Sequence, residues 1–120
     1  MKRNSNEYRN NIRAVLLEGG VARAYFKRAP KNKTFPYVVF DIRALGENRD
    51  VIEVDAWGLK GNEEELTNIA DAIEENLDGY IIANEKHSSL LDSNNDMKWI
   101  DDDDENIIRI NLSFNATYQA

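Results

Sequence analysis

The stretch that decides the fold is "TFPYVVFDIRALGENRDVIEVDAWG", residues 34–58. Aromatic and β-branched residues crowd its first half and predict a strand. Val38, Phe40 and Ile42 fall on one face of that strand, and Tyr37 and Val39 on the other. Pro36 is tolerated only near a strand's start or at an edge, because it has no N–H to donate. "GENRD" supplies turn residues, and residues 51–58 return as a second strand. There Ile52, Val54 and Ala56 share one face, while Glu53, Asp55 and Trp57 share the other. A two-stranded ribbon is marginal alone, so its apolar face needs a cover.

Two amphipathic segments supply that cover. Tyr8, Ile12, Val15 and Leu16 recur at helical spacing and predict a helix over about 5–18, ended by Gly19 and Gly20. Leu66, Ile69, Ala70, Ile73 and Leu77 form the stripe of a second helix over about 63–77. Asn62 and Glu65 have the capping-box spacing at its start. Residues 21–28 alternate weakly and read as a short strand. Residues 80–91 read as extended, and "MKWI" as a short partner strand across a "DSNND" turn. The last fourteen residues or so alternate Ile108, Ile110, Leu112, Phe114, Ala116 and Tyr118 with polar residues. That is a long strand with one dry and one wet face.

The order α-β-β-β-α-β-β predicts an α+β domain. It has a mainly antiparallel sheet of four to five strands, with two helices packed on one face. One domain is expected over residues 1–120, with a polar hairpin or arm at about 84–105.

Composition narrows the chemistry. There is no cysteine, which excludes disulfides and thiolate metal sites. No apolar run approaches the roughly 20 residues of a membrane span, so no membrane partner is expected. The start of the chain lacks the apolar core of a secretory signal. The net charge of -7 is unevenly spread: residues 1–33 carry +7 and the remainder -14. Such polarity suits head-to-tail packing of copies of one chain.

The "DSNND" stretch, with the acids of 101–105, has the look of a calcium loop. Asp92, Asn94 and Asp96 take positions 1, 3 and 5, and Asp103 takes position 12. Position 6 is Met97 where an EF-hand loop needs Gly, and position 12 is Asp where it needs Glu. The flanks also read as strands. These four residues are therefore weak metal candidates, and no cofactor is expected. His87 is the only histidine, and its neighbours Ser88 and Ser89 are too close in sequence to be oriented as a base–nucleophile pair. Glu53 and Asp55 share a strand face, but nothing sets them in the two different environments that acid–base chemistry requires. Phosphate-binding glycine loops are absent. The residues point away from an enzyme.

Taken in order, residues 35–40 ("FPYVVF"), 54–58 ("VDAWG"), 66–73 ("LTNIADAI") and 109–118 ("RINLSFNATY") resemble the small tail-completion, or tail-terminator, proteins of long-tailed bacteriophages. The resemblance covers most of residues 14–118 and breaks between Tyr80 and Asp104. It implies a structural function, that of a tail-terminating, head–tail joining protein. Such proteins form a ring, usually of six copies, on the end of the tail tube, stop its growth and join the tail to the head connector. DNA passes through the lumen as cargo only. The expected place is the virion's tail or neck, after synthesis in the bacterial host cytoplasm. The expected partners are the chain itself, the tube protein and the head-completion protein.

Surface residues follow from the charge split. Arg9, Arg13, Arg23, Lys27 and Arg28 are expected to meet acidic residues of the next subunit, among them Glu53, Asp55, Asp101 and Asp102. Tyr37 and Trp57 are expected on the sheet face away from the helices, either as anchors for a neighbour or covering a second small core. Trp99 and Ile100 are the apolar anchors of the 84–105 arm. The alternative function is a small acidic module that takes calcium or a protein ligand through residues 90–105.

Overall fold

The computed structural model describes residues 6–83 and 88–119. The expected helix start at residue 5 and the reading of His87 lie outside the described residues. Two α-helices, α1 (Asn6–Glu18) and α2 (Glu63–Leu77), lie on one face of a seven-stranded sheet. The strands are β1 (Ala24–Phe26), β2 (Tyr37–Ala44), β3 (Arg49–Leu59), β4 (Ile81–Ala83), β5 (Ser88–Ser93), β6 (Lys98–Asp101) and β7 (Ile107–Gln119). The class is α+β, as the pattern of the sequence implies. The sheet is wider than four to five strands: "MKWI" does form a strand, β6, and the extended stretch near 80–91 supplies two strands, β4 and β5, where alternation suggests one.

The β2–β3 hairpin forms in the expected register, from Tyr37 opposite Trp57 to Ala44 opposite Asp50. Its turn closes with the Leu45 N–H on the Arg49 carbonyl. Pro36 sits immediately before β2, where its missing N–H disrupts no ladder bond. β7 then runs along the whole of β3, from Arg49 opposite Thr117 to Leu59 opposite Ile107. Since paired residues share a face, Val38, Phe40, Ile52, Val54, Ala56, Ile110, Leu112 and Phe114 all turn toward the helices and are buried. Tyr8, Ile12, Val15 and Leu16 of α1 meet them, as do Leu66, Ala70, Ile73 and Leu77 of α2. Burying each such side chain is worth about 1.5–3 kcal/mol, so this single core is the main term holding helices to sheet.

α2 packs close against β3 at Gly58. A Cβ added there would lie 3.2 Å from a Leu66 methyl, so glycine makes room for the helix. The expected capping box is not formed. Asn62 makes no side-chain cap bond, and Glu63 instead accepts the Gly61 N–H. The far end of α2 is tied to β5, where Ser93 donates its N–H to Asp78 and its hydroxyl to Glu74.

Two departures from the sequence pattern matter for the surface. β1 covers only three residues of 21–28 and pairs parallel to β2, the one parallel pair among the described residues. Residues 88–101 also do not fold back on themselves across "DSNND". β5 and β6 both pair with the same edge of β7, one after the other. Between Ser93 opposite Phe114 and Lys98 opposite Asn111, four residues stand opposite two, so "NNDM" holds a two-residue bulge in one interrupted strand. The polarity of "DSNND" imitates a turn. The actual turn, into β7, is the acidic run that follows.

Candidate interaction surface

The sheet face away from the helices carries the polar and aromatic residues. At its β2–β3 end, Tyr37 and Trp57 stack with ring centres 6.1 Å apart and planes 11° from parallel. Phe35 and Tyr25 pack on Tyr37 at 5.2 and 6.3 Å. Arg109, registered opposite Trp57, lays its guanidinium 4.7 Å over the indole and reaches Asp55 at 3.8 Å. Trp57 is half-buried and Tyr37 is only 6% exposed, so this is a small second apolar cluster with an aromatic rim. Burial, and then the charge of Asp102, push the Tyr37 hydroxyl pKa above the ordinary tyrosine value.

Down this face β7 acts as a polar spine. Asn111 donates to Asp55 at 2.9 Å and to Glu53 at 3.2 Å. Those two bonds hold together two carboxylates that would otherwise repel. Ser113 donates its hydroxyl to Asp96, at 3.0 and 2.9 Å to the two oxygens, and its N–H to the same group. Asn94 donates its N–H to the Ser113 carbonyl and its side-chain amide to the Ser113 hydroxyl. Asn115 donates to Asn94 in turn. Asp96 thus stands in for a backbone acceptor at the bulge, where the ladder is interrupted.

That accounts for the calcium-like spacing. The oxygens of Asn94 and Asp96 are engaged with β7, Asp92 is registered on Asn115, and Asp103 lies beyond β6 in the next turn. The four do not converge. Among the described residues no group of three or more His, Cys, Asp or Glu gathers as a metal site would. The acidic run has turn chemistry of its own: Asp102 accepts the Asp104 N–H, and Asp104 accepts the Asn106 N–H. Asp101, Asp103 and Glu105 are left exposed at this β6–β7 turn.

The basic candidates collect at the opposite end of the sheet. Arg13 donates to the Ala24 carbonyl at 2.9 Å, and Arg23 to the Pro36 carbonyl at 2.9 Å. Arg9 bonds Asn6 and stacks 4.9 Å over Phe26, with Lys27 on the same ring at 5.8 Å. Arg9, Arg13 and Arg23 therefore have roles within their own chain. Lys27, Arg28 and Lys33 line a cleft of about 280 Å³ floored by Tyr37 and Trp57 and closed by Arg109. Trp99 and Ile100 do not act as a pair. By register Trp99 faces the helix side and is 51% exposed, while Ile100 faces the other side beside Arg109. Sequence reasoning missed the spine of Arg109, Asn111, Ser113 and Asn115. Its one signal was a run of polar residues at alternate positions of the last strand.

The architecture is that of an α+β domain with a wet sheet face, an acidic β6–β7 turn and a basic surface around β1. No family model matches the sequence, and no curated protein matches it. A solved structure does: a chain of the "Virion of native gene transfer agent (GTA) particle" superposes with a TM-score of 0.67. The match covers 89% of this chain and 86% of that one, at 17% identity, which makes it a likeness of fold. Among the described residues no helix is long and apolar enough to cross a membrane.

Proposed function

We propose that the chain is a structural protein of a phage-like virion, and within it the tail-completion protein. The observation that carries this reading is the shared fold with a chain of a gene transfer agent virion over 89% of the sequence. The ordered resemblance of residues 35–40, 54–58, 66–73 and 109–118 to tail-completion proteins supports the finer role. In this reading copies form a ring, six in number, on the last ring of the tail tube. The ring stops tube growth and offers its other side to the head-completion protein. The chain works by assembly, with no chemical step of its own, and DNA crosses the lumen as cargo. An acidic lining would let DNA slide, because phosphate contacts need cations.

A calcium module built on residues 90–105 lacks comparable support, since Asn94 and Asp96 are already held by β7. The test is electron microscopy of particles from a strain lacking the gene. Unjoined heads and tails of uncontrolled length, both restored by the gene in trans, are the expected result. Joined tails of normal uniform length would overturn the reading.

A further inference from the structure

We infer that the basic loop between β1 and β2 of one copy docks into the acidic cleft at the β6–β7 turn of the next copy. This deepens the ring reading, and rests on it, by naming a contact between neighbours. The loop reads "KRAPKNK", residues 27–33, with four cations and no acid. All four cations are exposed, as are Pro30 and Asn32 at the tip. Both feet of the loop are pinned to β2. The Lys27 N–H bonds the Phe40 carbonyl at 2.8 Å, and Phe35 packs on Tyr37. The tip is a turn, closed by the Lys33 N–H on the Pro30 carbonyl at 3.1 Å. The loop therefore projects as a knob of fixed shape.

The cleft complements it in shape and charge. It holds about 450 Å³ and is lined by Asp101, Asp102, Asp104 and Glu105, with Ile107 and Ile108 as the apolar part of its wall. Lys60 also lines it, so four carboxylates and one ammonium give -3, against +4 on the loop. The walls are set before anything docks. The Lys60 N–H bonds the Asn106 carbonyl at 2.8 Å, and the Ile107 N–H bonds the Asp104 carbonyl at 3.1 Å. Two preformed surfaces lose little conformational freedom when they meet. The contact uses exposed side chains of the loop and leaves the β1 backbone, whose outward carbonyls are already bonded, untouched.

Among the described residues, none of the four loop cations and none of the four cleft acids forms an ion pair within its own chain. Nor does the loop fill the cleft of its own copy. Lys27, Arg28 and Lys33 line a separate cleft with Tyr37 and Trp57, and β3 stands between β2 and β7. Loop against loop would set cation on cation, and turn against turn acid on acid, so like features repel. Loop in cleft pairs the charges and brings Pro30 to Ile107 and Ile108. A nucleic acid fits the loop less well, because its phosphates run far beyond seven residues and Asp55 lines the adjoining cleft. A contact between two different patches is heterologous, and it closes into a ring when the rotation allows.

The chain has no cysteine, so introduced thiols are the only ones present. Asn32→Cys puts one at the tip of the loop, and Asp103→Cys puts one at the turn that walls the cleft. The two variants are treated with a short bis-maleimide at millimolar protein, alone and mixed, and resolved on a denaturing gel. The mixture should give dimers, and each variant alone should stay largely monomeric. Dimers from either variant alone as abundant as from the mixture would overturn the contact, as would complete absence of cross-links. Absence of cross-links, with heads and tails unjoined in the strain lacking the gene, would reject this contact and leave the tail-completion reading standing. Both thiols on one chain should give a ladder of multimers. Closed dimers in its place would uphold the contact and count against the ring.

A second arm tests the charges. Lys31→Glu and Lys33→Glu, added to the Asn32→Cys chain, should cut its cross-linking to the Asp103→Cys chain about tenfold. Asp101→Lys and Glu105→Lys, added to the Asp103→Cys chain, should do the same. Mixing the two reversed chains should restore the yield, because the contact again joins opposite charges. Failure to recover when both chains retain the wild-type melting temperature would refute the pairing. Binding of duplex DNA that the loop reversal abolishes, with cross-linking unchanged by that reversal, would assign the loop to nucleic acid and overturn the proposal.

Discussion

Tyr118 donates its hydroxyl to the carboxylate of Asp50, 68 residues away in sequence and fully buried. The pair closes the end of the sheet where β7 leaves β3, and the Tyr118 N–H bonds the Asn48 carbonyl in the hairpin turn. The ring of Tyr8 packs 5.8 Å from that of Tyr118, and its hydroxyl pairs with Ser89 at 3.4 Å. A helix, a turn and three strands thus meet on one buried polar cluster.

Removing one member leaves a buried group short of a partner, which costs about 1–3 kcal/mol. Tyr118→Phe should therefore lower the unfolding free energy from urea titration by that amount. Tyr8→Phe should also destabilise, because its hydroxyl bonds Tyr118 as well as Ser89. A Tyr118→Phe chain as stable as wild type would show that the Asp50 contact contributes nothing net.

The same cluster sets a pH response. Burial, then the Asp50 and Tyr8 hydrogen bonds, hold the Tyr118 pKa far above the usual tyrosine value. Burial likewise raises Tyr8. Above about pH 10 the unfolded chain loses these protons while the folded chain keeps them, so stability falls as pH rises. Below that pH the contribution is complete. Melting temperature should thus be flat from neutral pH to about 10 and then decline. Tyr118→Phe should make the decline shallower.

Asp96→Ala should destabilise the bulge by about 1–3 kcal/mol, because the Ser113 N–H and hydroxyl both lose their acceptor. Amide exchange at Ser113 should quicken. Asp92→Ala and Asp103→Ala, at exposed positions, should stay within about 0.5 kcal/mol. If the spacing of these residues reflected calcium binding, millimolar calcium would raise the melting temperature. The expected shift is nil.

A double-mutant cycle on Trp57 and Arg109 should show a coupling of about 0.5–1 kcal/mol from the stacked guanidinium. Because Arg109 also reaches Asp55, the cycle is best run at high salt, where the ion pair is screened. Additivity of the two single changes would remove the stacking term.

Gly58→Val should cost about 1–3 kcal/mol, since its branches would press into Leu66 and lift α2 from β3. Adding Leu66→Ala should recover part of that loss. If Gly58→Val alone were neutral, the close approach would not be real.

What the sequence settled by itself was whatever periodicity controls. The β2–β3 register follows from alternation in residues 37–57, and the helices follow from the stripes of Tyr8 to Leu16 and Leu66 to Leu77. A one-residue slip in either would turn apolar groups to water, so the class and the layering were fixed locally. Tertiary structure alone decided the rest. Residues 88–101 were ambiguous because a bulge and a turn use the same polar residues. Only pairing with β7 shows that Asp96 completes a ladder, that Asp101 ends β6, and that the turn is made by residues 102–106. The direction of β1, three residues long, also depends on its neighbour. Asp50 looked like an exposed turn residue until Tyr118 returned beside it. Burial of that carboxylate, and the meeting of charged ends across one sheet, arise between residues far apart in the chain, which no local pattern records.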